Sequence, residues 1–179
     1  MDARWLTDDQ QRAWRRVSAV LELLPAALDS QLVHDAGVTH FDYLTLAMLS
    51  EAPARTLRMT TLAERTNATL ARLSNVVRRL EGRGLVERTP CPDDRRATDV
   101  VLTDEGLAKV VATAPGHVDQ VRRLVVDALS PQQLEQLGVI AERLLGRLDP
   151  EHRMVDLGQP SSPVAPCGVP TGLDSGEPR

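Results

Sequence analysis

Cysteine, lysine and aromatic residues are nearly missing from this chain of 179 residues, and each scarcity excludes something. The two cysteines, Cys91 and Cys167, stand far apart, which fits neither a disulfide framework nor a four-ligand zinc site. Lys109 is the only lysine among 21 basic residues, a bias of base composition rather than of mechanism. One Phe and one Tyr leave little material for an aromatic-rich pocket. No apolar run approaches the ~18 residues of a membrane-spanning helix. Met1-Asp2-Ala3-Arg4 leads into polar sequence instead of a signal-peptide core, so a cytoplasmic protein with no membrane partner is expected. There is no phosphate loop, no HExxH and no nucleophile elbow, so neither catalysis nor a cofactor is expected.

Negative charge is present but unevenly spread. The chain carries 21 basic against 25 acidic residues, a net charge of −4. Residues 55–96 nevertheless hold 10 arginines against 5 acids, a net of +5, while both flanks are acidic. A basic block between acidic flanks is the electrostatic footprint of a nucleic-acid binder, although a solvated surface has the same composition.

Helix signals are frequent. Trp14, Val17, Leu21, Leu24 and Leu28 recur at steps of three and four, the spacing of one apolar helix face. Thr7-Asp8-Asp9-Gln10 predicts a capping box at its start and Gly37 a left-handed stop, with Pro25 expected to kink or split the helix. A second helix is expected from Thr39, with Asp42 three residues on, and Glu51-Ala52-Pro53-Ala54 reads as a loop. Thr61-Leu62-Ala63-Glu64 predicts another capping box and a short helix ending near Thr66-Asn67. The next helix is expected from about Thr69 to Gly82, with Leu70, Leu73, Val76, Val77 and Leu80 on its apolar face and Gly84 ending it. Two helices joined by so short a turn read as a helix-turn-helix. Leu85–Thr89 and Thr98–Leu102 then read as two strands, making the residues between them the tip of a wing.

Beyond the wing, Thr103 is expected to cap a helix from Asp104 that Pro115-Gly116 should kink or divide. Ser130-Pro131-Gln132-Gln133 opens a last helix with Leu134, Leu137, Ile140, Leu144 and Leu148 on one face. Apolar stripes at both ends of a small chain suit either a monomer core or a two-fold interface, and the length of the first and last helices favours the interface. From residue 155 the chain is rich in Pro, Gly and Ser and is expected to be a disordered tail.

From Met59 to Gly106 the sequence resembles the winged helix-turn-helix core of the MarR family of bacterial transcription regulators. Asp94-Arg95-Arg96-Ala97 followed by Leu102-Thr103-Asp104-Glu105-Gly106 carries most of the likeness, supported by the helix end Leu80–Val86 and by the order of the flanking helices. The resemblance implies a mainly α fold, a winged helix-turn-helix with a two-stranded β wing, flanked by N- and C-terminal dimerisation helices. One domain would span residues 1–154, with dimerisation helices at about 7–36 and 104–148 and a DNA-binding module at about 39–103.

The same resemblance implies a sequence-specific, ligand-responsive repressor, a homodimer on a pseudo-palindromic operator in double-stranded DNA. Arg96 would enter the minor groove with Asp94 orienting it, while Arg95 reaches a phosphate. Thr69, Arg72, Asn75, Arg78 and Arg79 would meet bases and phosphates in the major groove, where Arg suits guanine and Asn suits adenine. The family often carries Ser or Thr where this chain has Ala71 and Arg72, so no known operator sequence transfers directly. A small-molecule effector is implied near the junction of the first two helices, where Trp14, His34, His40, Phe41 and Tyr43 are candidate lining residues, with core packing as their plainer role. His34, Asp35, His40 and Asp42 lack a compact metal-ligand spacing, and no metal is expected. Two alternatives remain open: a winged-helix module that binds protein without DNA, and a redox-gated DNA-binding switch using Cys91.

Overall fold

A computed structural model describes residues 4–91 and 97–154. Helix α1 spans Asp8–Ala36, α2 His40–Ser50, α3 Met59–Arg65, α4 Leu70–Glu81, α5 Asp104–Val121 and α6 Pro131–Leu148. Three short strands, β1 Thr56–Arg58, β2 Val86–Pro90 and β3 Thr98–Leu102, form an antiparallel sheet in the order β1-β3-β2.

Local chemistry sets most boundaries. Reciprocal capping boxes open α1 (Thr7 with Gln10), α2 (Thr39 with Asp42) and α6 (Ser130 with Gln133), each satisfying two otherwise orphaned backbone donors. Helix α1 closes at Gly37 in the left-handed region. Helix α4 winds down through Gly84 (φ +71°), where Gly84 N–H donates to Glu81 O and Leu85 N–H to Leu80 O. That pair of bonds is the Schellman pattern, and the left-handed conformation it needs favours glycine.

Four expectations require correction. The sheet has a third strand: Thr56, Leu57 and Arg58 pair with Val101, Val100 and Asp99. Three residues are too few to show an alternating pattern, which is why sequence alone yields only a hairpin. Thr61 does not cap α3, because β1 runs straight into the helix and Arg58 takes the N-cap position, its side chain turned away from the helix end to Cys91. Leu70 is exposed instead of buried, since the first turn of α4 projects beyond the packed face formed by Leu73, Val76, Val77 and Leu80. Neither proline breaks its helix: α1 runs through Pro25 and α5 through Pro115-Gly116. Helices α1 and α5 pack together, with the Gln31 side chain against the open flank of Gly116, and this packing offsets the backbone hydrogen bond each proline removes. The irregularity in the second long helix falls later, as a π turn over Arg122–Val126.

The core lies where α2, α3, α4 and the sheet meet, around Leu46, Leu49, Leu62, Leu73, Val77, Leu80, Val86 and Val100. Each such side chain contributes about 1.5–3 kcal/mol on burial. The two ends of the chain are different. Helix α6 buries no residue, and Trp14, Val17, Leu21, Ile140 and Leu144 are all exposed. No helix among the described residues is long and apolar enough to cross a membrane.

A tight seam joins the wing to α5. Thr103 donates its hydroxyl to Gly84 O at 2.7 Å and accepts from Gly106 N–H at 2.9 Å, while its own N–H donates to Leu85 O at 3.2 Å. A Cβ on Gly106 would lie 2.0 Å from Leu85 O and 2.6 Å from Leu102 Cδ1. This close approach accounts for the Leu-Thr-x-x-Gly spacing. Gly106→Ala should therefore lower stability by at least about 1–3 kcal/mol, measured by urea unfolding at fixed protein concentration; a change within about 0.5 kcal/mol would show that the seam relaxes freely.

Candidate nucleic-acid interface

The turn between α3 and α4 is built from inside. Thr66 is buried and donates its hydroxyl to Leu62 O at 2.7 Å, Asn67 adopts φ +46°, and Ala68 N–H returns to Ala63 O at 2.9 Å. Thr69 then caps α4, accepting from Arg72 N–H at 3.3 Å. With Leu73, Val76, Val77 and Leu80 directed into the core, the opposite face presents Thr69, Arg72, Asn75, Arg78 and Arg79, all exposed. All five residues expected on the recognition face are therefore on one surface.

They are not equivalent. Arg78 donates to Asn75 Oδ1 at 3.1 Å, which occupies part of the Asn75 amide. Arg79 reaches back to α2 and pairs with Asp42, whose side chain is only 3% exposed. The other Asp42 oxygen accepts from Thr39 N–H at 3.0 Å, so one carboxylate caps α2 and anchors α4. The Arg72 guanidinium lies over the Phe41 ring, 4.2 Å from its centre. Further along, Arg83 donates to Gly37 O at 3.1 Å. Arg88 clasps Glu81 through Nε, Nη2 and the backbone N–H, holding that carboxyl below its ordinary pKa.

In the wing, Val86 to Pro90 pair in register with Leu102 to Thr98. Cys91 N–H donates to Ala97 O at 3.1 Å, so the chain ends on either side of the wing tip are held together. Asp94, Arg95 and Arg96 lie outside the described residues, as does the tail after Met154. Cys91 itself is buried, with Arg58 Nη2 donating to its Sγ at 3.2 Å. Burial keeps oxidants from the thiol, which weighs against the redox alternative in spite of the neighbouring guanidinium.

The candidate effector residues divide. His40, Phe41 and Tyr43, on the first turn of α2, are partly buried. His40 N–H donates to Asp29 Oδ1 at 2.8 Å. The His117 ring of α5, which sequence reasoning missed, lies 4.8 Å from the Tyr43 ring and 6.2 Å from the His40 ring. His117 Nδ1 and Gln31 Oε1 are buried with no hydrogen-bond partner among the described residues. A lone histidine behind Pro115-Gly116 gives no local signal of this convergence. Trp14 and His34 are instead exposed on α1, with His34 Nδ1 2.6 Å from Asp35 Oδ1. Among the described residues no group of three His, Cys, Asp or Glu is placed to hold a metal.

Comparison with known proteins agrees with this geometry. The MarR family model matches residues 38–98. Sco3205 of Streptomyces coelicolor, a MarR family transcriptional regulator solved in complex with DNA, is 45% identical, with a TM-score of 0.80 over 87% of this chain and 96% of that one. AbsC, a MarR family transcriptional regulator from the same organism, is 41% identical with a TM-score of 0.73, over 80% of this chain and 99% of its own. The HTH-type transcriptional repressor YetL of Bacillus subtilis is 28% identical over 111 residues, which are 60% of this chain and 66% of that protein.

Burial holds the pKa of His40 below 6.5, and burial together with the neighbouring His40 does the same to His117. Both rings thus stay neutral in the folded protein at a pH where the unfolded chain already takes up protons. Their contribution to stability is complete above about pH 6.5 and declines as pH falls through that value toward the lower folded pKa. Urea unfolding at pH 7.5 and 5.5 should show this loss, and His117→Gln should flatten it; an unchanged slope in the variant would assign the loss to other groups.

Proposed function

We propose, from the premise that the chain belongs to the MarR family of transcriptional regulators, that it is a sequence-specific DNA-binding repressor acting as a homodimer on a pseudo-palindromic operator. The observation that carries this is the division of α4: four apolar residues lock it into the core while Thr69, Arg72, Asn75, Arg78 and Arg79 form one exposed polar face. The complex of Sco3205 with DNA and the repressor role of YetL support the same reading. Arginines of the block supply salt-sensitive attraction to phosphates, and α4 reads base edges in the major groove. Arg96, partnered by Asp94, reads the minor groove, where a narrow groove concentrates negative potential, and Arg95 reaches a phosphate.

Support for the homodimer comes from the chain ends. Trp14, Val17 and Leu21 of α1 and Leu137, Ile140 and Leu144 of α6 are exposed apolar side chains at helical spacing, a surface that a second copy would cover. Two copies would set two recognition helices about one helical turn apart on the duplex. A small-molecule effector would act at the junction of α1, α2 and α5, where His40, Tyr43 and His117 converge beside the unpaired Gln31 Oε1 and His117 Nδ1. Phe41 neighbours these residues in sequence but faces Arg72 of α4, while Trp14 and His34 contribute from α1 only if the partner copy or the ligand brings them in. A ligand there shifts DNA binding by its differential affinity for two spacings of the recognition helices.

Fluorescence anisotropy with DNA from upstream of the gene should show specific binding that weakens with salt. Arg96→Ala should reduce it by more than ~1 kcal/mol, and unaltered binding would leave Arg96 as plain surface charge. Sedimentation should give a dimer that Ile140→Glu converts to monomer with loss of operator binding; a wild-type monomer that binds the operator fully would refute the two-fold arrangement.

A further inference from the structure

Arg72 is held differently from the other arginines of α4. Arg78 spends a donor on Asn75 and Arg79 is paired with Asp42, whereas the Arg72 guanidinium has no hydrogen-bond or ion-pair partner among the described residues. What holds it is the Phe41 ring, 4.2 Å from Cζ to the ring centre. The ring stands on a firm support. Phe41 packs against the core cluster, its carbonyl accepts the buried Thr45 hydroxyl at 2.8 Å, and the next residue, Asp42, is bound to both Thr39 and Arg79. Together Phe41, Arg72, Asn75 and Arg79 line one open groove along α4.

Attraction between a guanidinium and a ring face consumes no N–H donor. Arg72 is therefore restrained and yet keeps its whole donor set, a combination none of the other α4 arginines has. Two parallel acceptors on one base edge match such a donor fork, and in the major groove guanine O6 and N7 provide them.

We propose that Phe41 is a specificity-positioning residue: it holds Arg72 as a preset fork that reads one guanine in each half-site. The inference rests on the DNA-binding function proposed above. Phe41 itself touches no DNA; it acts by restricting the conformations Arg72 can sample before DNA arrives, so less freedom is lost on binding.

The test uses the full-length protein to select duplexes from a random-sequence pool, followed by titration of the selected site and of the same site with the guanine pair replaced. Wild type should prefer guanine at one position per half-site. Arg72→Lys, which keeps the charge at an exposed position, should lose that preference and keep the salt dependence. Phe41→Leu should weaken the preference by about three- to tenfold with affinity for non-specific duplex unchanged, and Phe41→Tyr should retain it. In the free wild-type protein the Arg72 Nε–H should give an NMR order parameter above that of freely reorienting surface arginines, a readout that does not depend on Phe41→Leu folding.

A selected motif that Arg72→Lys or Phe41→Leu reads as well as wild type overturns this inference and leaves the DNA-binding function standing. So does a freely reorienting Arg72 Nε–H in the free protein. If wild type selects no motif at all, the DNA-binding function fails and the inference falls with it.

Discussion

Asp42 is a buried carboxylate with two tasks. Through one oxygen it completes the capping box of α2, and through the other it receives Arg79 from the last turn of α4. Taking a charge out of water is costly, and the cost is met here only because both oxygens have donors. Removing one partner of such a pair typically costs about 3–5 kcal/mol, and the half-exposed Arg79 places this one toward the lower end. The geometry matters more than the energy. Helix α2 adjoins α1 and α5, while α4 carries the exposed polar face, so the Asp42–Arg79 bond fixes the attitude of that face relative to the long helices.

Neighbouring residues depend on the same contact. Phe41 precedes Asp42 and carries Arg72; His40 precedes Phe41 and faces His117. Three consecutive residues at the start of α2 thus touch the polar face of α4, its anchoring arginine and the junction with α5. Such contiguity is a physical route by which occupancy at the junction can bias the helix that bears Arg72, since all three residues move with one helical turn.

Much of this was legible in the sequence wherever the cause was local. Capping boxes at Thr7, Thr39 and Ser130, the stop at Gly84 and the apolar face of α4 each depend on residues within a few positions of one another. What was not legible depends on partners far along the chain. Strand β1 exists because Val100 and Val101 offer it an edge, and its three residues carry no pattern of their own. A kink or a split is expected at Pro25 and at Pro115 because a proline's local cost is visible and the packing of α1 on α5, whose helices run on through both prolines, is not. Arg79 is expected from sequence only to face DNA, and nothing local signals that Asp42, 37 residues earlier, pairs with it. His117 had no signal at all.

The seam at Thr103 and Gly106 has a mechanical consequence. Because Leu85 O sits where a Cβ on Gly106 would go, the first turn of α5 cannot slide over the end of α4, and the two move as one body. Helix α5 is 18 residues long, about 27 Å of stiff rod. A tilt of about 5° pivoting at its far end carries the seam through about 2 Å, more than half the rise of one base pair at 3.4 Å. Welded in this way, α5 gears small angular changes into displacements on the scale at which a duplex changes register.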